Sequence, residues 1–162
     1  MPEQSRSPAA LSAETVIIGA GPVGLFQIFE LGLLGISTHI IDSLSLPGGQ
    51  CTELYPDKPI YDIPALPICG AQELVDRLLE QVKPFHAAFH LGQEVTELRA
   101  LDAGKFHVAT SAGTRFIAGA VVIAGGVLAY LAPEYASRLS INAARRSPPA
   151  SIGPSLAMTA SG

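Results

Sequence analysis

Residues 15–24 decide the fold, and they read Thr15-Val16-Ile17-Ile18-Gly19-Ala20-Gly21-Pro22-Val23-Gly24. The β-branched run before the first glycine is typical of a strand that is buried on both faces. The proline suits the first turn of a helix, where a missing N–H group costs no hydrogen bond. A second short apolar run, Thr38–Ile41, ends at Asp42. The spacing therefore predicts a strand, a helix over residues 22–34 and a second, parallel strand.

The three glycines of this G-x-G-x-x-G pattern have separate roles in a nucleotide-binding turn. Gly19 allows a tight turn, Gly21 lets a pyrophosphate approach the main chain, and Gly24 lets the helix pack closely on the strand. The helix N-terminus supplies free N–H groups and a positive dipole. Asp42 is placed to accept hydrogen bonds from ribose hydroxyls, and its charge repels a 2′-phosphate. The pattern favours FAD or NAD over NADP, against the alternative of a structural glycine turn beside a surface aspartate.

The rest of the chain divides into an extended segment, one amphipathic helix and a series of strands. Residues 43–69 are rich in proline and show no apolar period, so we expect an extended surface segment. The helix is predicted over residues 71–83 and ends at Pro84. The predicted strands are residues 88–91, 95–101, 105–110 and 114–117, which form an antiparallel meander, and residues 120–124, which form a buried strand.

These elements predict an α/β, Rossmann-like domain: a parallel sheet with a β-meander crossover. We assign residues 1–12 to a flexible arm and residues 13–126 to the nucleotide-binding domain. Residues 127–162 change in character, being rich in alanine, serine and proline. That composition resembles a low-complexity or out-of-frame extension, so we expect a disordered C-terminal tail.

Composition excludes several classes of function. The chain has 162 residues, a formal net charge of −4 and 15% charged residues, and no basic cluster precedes residue 127, so we expect no nucleic-acid partner. It shows neither a secretory signal nor an apolar run of membrane-spanning length, so we expect no membrane partner and a cytoplasmic location. Cys51 and Cys69 lack the spacing of a redox pair or zinc site and are expected to be reduced. The four histidines show no metal spacing, and we expect no metal site.

The glycine pattern and Asp42 are followed by Pro47-Gly48-Gly49-Gln50 and by the run from Glu53 to Pro64, ELYPDKPIYDIP. Together these residues resemble the thioredoxin reductase-like (type 2) ferredoxin–NADP reductases, over residues 15–126. The resemblance implies that this part binds FAD, with residues 121–126 closing the FAD site. The cofactor-binding residues it implies, together with the glycine pattern, are Gly19, Gly21, Pro22, Gly24, Asp42, Gly49, Gln50, Tyr55 and Val95.

In the family that the chain resembles, NADPH passes hydride to FAD, and electrons then leave to ferredoxin or flavodoxin. The flavin carries the chemistry, so no catalytic side chain is expected. Family enzymes are homodimers, and a homodimer is one expected assembly. Cys51 follows two glycines as in disulfide reductases, but position 56 is proline where those enzymes have a second cysteine. We therefore expect no dithiol chemistry and interpret Cys51 as a small buried residue.

The chain departs from the family after Gly126. It has Val127–Tyr130 in place of the flavin-packing aromatic linker, and it has no second G-x-G-x-x-G pattern for NADPH. The family also completes its FAD domain with a C-terminal strand, so we expect an incomplete domain with an open apolar sheet edge. We interpret the chain as the FAD-binding fragment of such a reductase, inactive alone, poorly expressed and weak in FAD binding. The alternatives are a non-catalytic flavin- or nucleotide-binding half-domain and a fragment of another thioredoxin reductase-like flavoprotein.

Overall fold

The computed structural model describes residues 9–126. The predictions for residues 1–8 of the arm and for the tail over residues 127–162 lie outside the described residues. The predicted α/β, Rossmann-like fold is confirmed. The strands are β1 (Leu11–Ile18), β2 (Thr38–Ile41), β3 (Pro59–Ile60), β4 (Cys69–Gly70), β5 (Ala88–His90), β6 (Val95–Ala100), β7 (Phe106–Thr110) and β8 (Arg115–Ile123). The centre of the fold is one six-stranded sheet with the strand order β5-β2-β1-β8-β7-β6, and a separate two-stranded sheet pairs β3 with β4.

Helices α1 (Pro22–Leu33) and α3 (Ala71–Val82) cover one face of the parallel strands. The core below them is fully buried and contains Ile17 from β1, Leu25 and Ile28 from α1, Ile40 from β2 and Val75 from α3. A helix packs on a sheet in this way because its apolar stripe and the sheet face exclude water from each other. This packing fixes the N-terminus of α1 above the carboxyl end of β1.

The antiparallel strands build the second core on the opposite face. Phe116 and Val108 are fully buried there, with Leu98 from β6 and Val16 and Ile18 from β1 packed against them. Strand β8 pairs antiparallel with β7 and parallel with β1. The meander and the Rossmann-like half therefore share one continuous sheet.

Three strand predictions were wrong in extent or in pairing. Strand β1 begins at Leu11, because Leu11–Ala13 pair with residues 116–118 of β8. Strand β5 belongs to the parallel half, pairing with β2 at the sheet edge, and it is not part of the meander. Residues 114–117 and 120–124, predicted as two strands, form the single strand β8, because its pairing with β1 continues through Gly119.

The segment over residues 43–69 also contains more regular structure than predicted. A short helix α2 (Gln50–Glu53) follows Gly49, and β3 and β4 pair antiparallel. These pieces are too short to show an apolar period in the sequence. Main-chain hydrogen bonds from Ala71 to Lys58 and from Gln72 to Pro56 tie the segment to the start of α3.

One edge of β8 has no partner strand within the described residues. Strand β7 pairs with β8 only over residues 115–118, whereas residues 120–123 pair with β1 alone. Ile123 on this edge is 46% exposed. An unpaired edge of this kind presents free main-chain groups to another strand.

Among the described residues, the structure has no helix with the length and apolar character needed to cross a membrane.

Candidate functional site

The glycine loop, residues 19–24, lies at the carboxyl ends of the parallel strands. Gly19 donates its N–H to the carbonyl of Ile41 at 2.8 Å and has a φ of +106°. A Cβ atom at this position would overlap the carbonyl group of Ala124. Glycine is therefore required here both for backbone conformation and for space.

Gly24 and Gly21 differ sharply in their surroundings. A Cβ atom on Gly24 would overlap the carbonyl oxygen of Gly19, so Gly24 allows α1 to start directly against the turn. A Cβ atom on Gly21 would meet nothing within 4 Å. Gly21 is the N-cap of α1, its φ is an ordinary −71°, and no side chain caps the helix. The space at Gly21 is therefore open to a ligand that approaches the helix N-terminus.

A second glycine segment, Gly48–Gln50, packs against the glycine loop. Gly48 donates its N–H to the carbonyl of Ala20 at 2.8 Å, and a Cβ atom on Gly49 would lie 3.2 Å from the Cα of Gly21. The amide nitrogen of Gln50 lies 3.6 Å from where a Cβ atom of Gly126 would stand. Three glycine-containing segments thus meet around the start of α1.

Asp42, half-buried at the end of β2, faces the same loop. Its Oδ2 accepts the N–H of Ala20 at 2.6 Å, and its Oδ1 accepts the N–H of Leu44 at 2.9 Å. A carboxylate oxygen accepts two hydrogen bonds, so each oxygen keeps one lone pair for a further donor. The carboxylate is held rigidly in position while still able to accept hydroxyl groups.

We call the region where Asp42–Leu44, residues 90–95 and residues 110–114 meet the Asp42 junction. Asp42 donates its N–H to the carbonyl of His90 at 3.1 Å and accepts the N–H of Gln93 at 3.0 Å. Gly92 donates its N–H to the carbonyl of Leu44 at 2.8 Å. Three main-chain hydrogen bonds therefore attach the strand end that carries Asp42 to the end of β5 and to the loop that follows it.

Tyr55 and Gln50 line a cavity of about 450 Å³ that is next to the second glycine segment. The Tyr55 side chain is 52% exposed, and the ammonium group of Lys58 lies 5.3 Å from its ring centroid. This arrangement leaves aromatic surface available to a ligand with a flat ring. Lys58 also lines the cavity, and the remaining lining residues are Cys51, Pro59, Ile60, Tyr61, Asp62 and Ala71.

Val95 is predicted to contact the adenine side, but its side chain is 97% buried in the core below the meander. A bulge interrupts the pairing of β6 with β7 between Val95 and Glu97. Any contact from Val95 to a ligand must therefore be made by main-chain atoms. The other predicted cofactor residues lie around the glycine loop and the cavity that adjoins it.

The cysteines are both free thiols. Cys69 is buried, but Cys51 is only half-buried beside the cavity, so the expectation that Cys51 is a buried residue was wrong. Partial burial, reinforced by the neighbouring Cys69, raises the pKa of the Cys51 thiol. A thiol that stays protonated is a poor nucleophile. Within residues 9–126, no cluster of three histidine, cysteine or acidic side chains forms a metal site.

Two groups near Asp42 were not recognised from the sequence. The ring nitrogens of His39 and His90 lie 3.0 Å apart, and both rings pack on Phe116. Gln93 accepts hydrogen bonds from two threonines of the β7–β8 turn. Within β2 and within β5, the alternation of side chains indicates which residues share a face of the strand. Only the parallel pairing of the two strands brings His39 and His90 together.

Comparison with known proteins agrees with the sequence resemblance, although no protein-family model matches the chain. It is 65% identical over 117 residues to a ferredoxin–NADP reductase of Methylibium petroleiphilum, and 63% identical over 117 residues to ferredoxin–NADP reductase 2 of Cupriavidus metallidurans. The chain is a homologue of ferredoxin–NADP reductases. Each match covers 72% of this chain and 32% of the relative, so the chain spans about a third of the length of these curated ferredoxin–NADP reductases.

The fold also matches a solved structure outside the ferredoxin–NADP reductases. Thioredoxin reductase from Streptococcus pyogenes aligns with a TM-score of 0.63 and 24% sequence identity, over 73% of this chain and 36% of that protein. At this identity the likeness shows the fold alone. The predicted resemblance to a thioredoxin reductase-like ferredoxin–NADP reductase is therefore confirmed both in sequence and in fold.

Proposed function

We propose that this chain is the FAD-binding part of a ferredoxin–NADP reductase. The observation that carries the proposal is the open space at Gly21, where an uncapped helix N-terminus faces outward beside the carboxylate of Asp42. Helix N-termini attract phosphate groups through their free N–H groups and dipole. A carboxylate next to such a site accepts ribose hydroxyls. Together they suit the adenosine diphosphate half of a dinucleotide.

In this proposal the main chain of Gly19, Gly21 and Gly24, with Pro22, forms the phosphate-binding turn. Asp42 uses the free lone pair on each oxygen to accept ribose hydroxyls, while Ala20 and Leu44 hold its orientation. The negative charge of Asp42 disfavours a 2′-phosphate in this site. The main chain of Val95 lies on the adenine side.

Gly49, Gln50 and Tyr55 then serve the flavin half. Gly49 lies against Gly21, and Gln50 leads from there into the cavity that Tyr55 lines. The exposed Tyr55 ring supplies a flat apolar surface for a ring system, in the way that aromatic side chains stack. When bound there, FAD would supply the redox chemistry of the proposed function, which is hydride acceptance from NADPH followed by single-electron release.

The reductase activity itself is proposed from the relatives. NADPH is the proposed electron donor and ferredoxin or flavodoxin the proposed acceptor, both at the level of the full-length enzyme. The described residues contain one glycine pattern, which we assign to FAD, so they provide no second nucleotide turn for NADPH. Their role is to bind and orient the flavin. A non-catalytic flavin-binding module and a thioredoxin reductase-like enzyme with another acceptor are the competing functions.

The decisive experiment measures FAD binding to the purified chain by quenching of flavin fluorescence, with FMN as the comparison ligand. We expect FAD to bind at least about tenfold more tightly than FMN, because FMN lacks the adenosine half. We expect Gly21→Ala to weaken FAD binding about tenfold or more while leaving stability within about 0.5 kcal/mol, since its backbone already suits alanine.

Gly70→Ala is the matched control. Gly70 is also the N-cap of a helix, with a φ of −71°, and the nearest atom to an added Cβ lies 3.8 Å away. Equal FAD affinity in Gly21→Ala and in the unaltered chain would contradict the proposed site, and no FAD binding at all would contradict the proposed function. NADPH oxidation with ferredoxin, flavodoxin or a dye as acceptor separates a reductase from a binding module once the NADPH-binding part is supplied, because only a reductase then turns over. From the residues described here we expect no turnover.

A further inference from the structure

Gln93 connects two parts of the fold that are distant in sequence. Its Oε1 accepts the hydroxyl of Thr110 at 2.9 Å and the hydroxyl of Thr114 at 2.8 Å. Its main-chain N–H donates to the carbonyl of Asp42 at 3.0 Å. One residue thus joins the β7–β8 turn to the end of β2.

The amide oxygen of Gln93 is the atom that faces the two threonines. The hydroxyl oxygen of Thr110 accepts the N–H of Thr114 at 3.2 Å, so its own hydrogen is free to be donated to Gln93. Both lone pairs of the amide oxygen are then used by hydroxyl donors. Thr110 is only 5% exposed, so these hydrogen bonds are sheltered from water. The side chain of Gln93 is therefore attached to the β7–β8 turn by two hydrogen bonds.

The side chain of Gln93 connects the loop between β5 and β6 to the meander. Residues 91–94 belong to no strand, yet Gly92 and Gln93 provide two of the three main-chain hydrogen bonds that hold the Asp42 end of β2. Main-chain hydrogen bonds from a loop hold a partner in place only while the loop itself is ordered. The side chain of Gln93 supplies part of that order from the meander, together with the hydrogen bonds between Glu94 and Ser111.

We propose that Gln93 is a positioning residue for the ribose-binding carboxylate of Asp42. This inference rests on the proposed FAD-binding function. Gln93 need not touch the ligand; it holds the main chain of residues 42–44, so that the oxygens of Asp42 keep their orientation when ribose hydroxyls approach. If the carboxylate must first become ordered when the ligand binds, the free-energy cost of that ordering reduces the affinity for the ligand.

The test uses two variants that keep the shape of the side chain while removing a polar group, and one control that keeps the polar group. Gln93→Met removes the acceptor, Thr114→Val removes one donor, and Thr114→Ser keeps that donor. We expect Gln93→Met to weaken FAD binding about tenfold and Thr114→Val about threefold or more. We expect Thr114→Ser to bind like the unaltered chain, and FMN affinity to change less than twofold in all three.

The double variant Gln93→Met/Thr114→Val should bind FAD no more weakly than Gln93→Met alone, because both changes break the same connection. A purely structural role would instead lower stability without changing the ratio of FAD to FMN affinity. That result, or additive losses in the double variant, would overturn the inference. If the unaltered chain binds no FAD, the proposed function fails and the inference falls with it. If it binds FAD and Gln93→Met binds equally well, only the inference fails.

Discussion

The glycine loop and the Asp42 junction form the two ends of the proposed adenosine diphosphate site, but they are built by different means. The glycine loop is held by close contacts between main-chain atoms, which the absence of side chains at Gly19 and Gly24 permits. The Asp42 junction is held by hydrogen bonds among Asp42, Gln93 and two threonines. Adding an atom at Gly19 or Gly24 should therefore disrupt the glycine loop, whereas removing a hydrogen-bonding atom should disrupt the Asp42 junction.

The largest effect is expected from Gly24→Ala, which adds an atom at the glycine loop. The new Cβ would overlap the carbonyl oxygen of Gly19, so α1 must move away from the turn. We expect the free energy of unfolding to fall by about 3 kcal/mol, the upper range for overpacking. Urea unfolding monitored by circular dichroism measures this loss. A loss as small as that of Gly70→Ala would show that the loop yields and is not rigidly packed.

A smaller loss is expected from Asp42→Asn, which removes one acceptor at the junction. Asparagine accepts with one oxygen only, so it loses either the Ala20 or the Leu44 hydrogen bond and also the charge. We expect the free energy of unfolding to fall by about 1.5 kcal/mol and the affinity for FAD to fall about tenfold or more. The same urea and fluorescence measurements apply. Unchanged FAD affinity with lowered stability would assign Asp42 a structural role only.

The smallest expected effect is a pH dependence that differs between the Asp42 junction and the glycine loop. Burial lowers the pKa of both His39 and His90, and the neighbouring His39 lowers the pKa of His90 further. The folded chain therefore binds fewer protons than the unfolded chain at acidic pH. The free energy of unfolding is highest above the ordinary histidine pKa of about 6.5 and falls as pH decreases below that value. Because the main-chain carbonyl of His90 accepts the N–H of Asp42, we expect the protection factor of the Asp42 amide against hydrogen exchange to fall before that of Gly19 as pH decreases.

Nuclear magnetic resonance of the labelled chain between pH 7.5 and 5.5 checks this order. The His39→Asn/His90→Gln double variant has no titrating ring at this position and should lose most of the pH dependence of unfolding. If the double variant and the unaltered chain show the same dependence, the acid sensitivity comes from other groups.

The comparison also explains how much the sequence predicts. The glycine loop was predicted residue by residue, because each glycine answers a requirement of its own turn. The strand end at Asp42 was predicted from the same local pattern. Gln93, Thr110 and Thr114 were not, because glutamine and threonine are ordinary residues in turns, and only the completed sheet brings them together.

The prediction of two strands where the structure has the single strand β8 was wrong for a similar reason. Gly119 suggests a break between two strands, since glycine is unfavourable within a strand. In the structure, a Cβ atom at Gly119 would lie 2.9 Å from the carbonyl oxygen of Glu14, so glycine here permits β1 and β8 to approach each other closely. Pairing with a distant strand outweighs the local preference of the residue.

That pairing of β1 with β8 also sets an order of events during synthesis. Strand β1 is made before β8, and its partner residues in β8 follow roughly 100 residues later. At a synthesis rate of about 5–20 residues per second, one edge of β1 stays unpaired for about 5–20 s until β8 has been made. During that interval the nascent chain carries an apolar strand with one edge unpaired, so we expect chaperone binding to be strongest before residue 123 emerges and to decline after it.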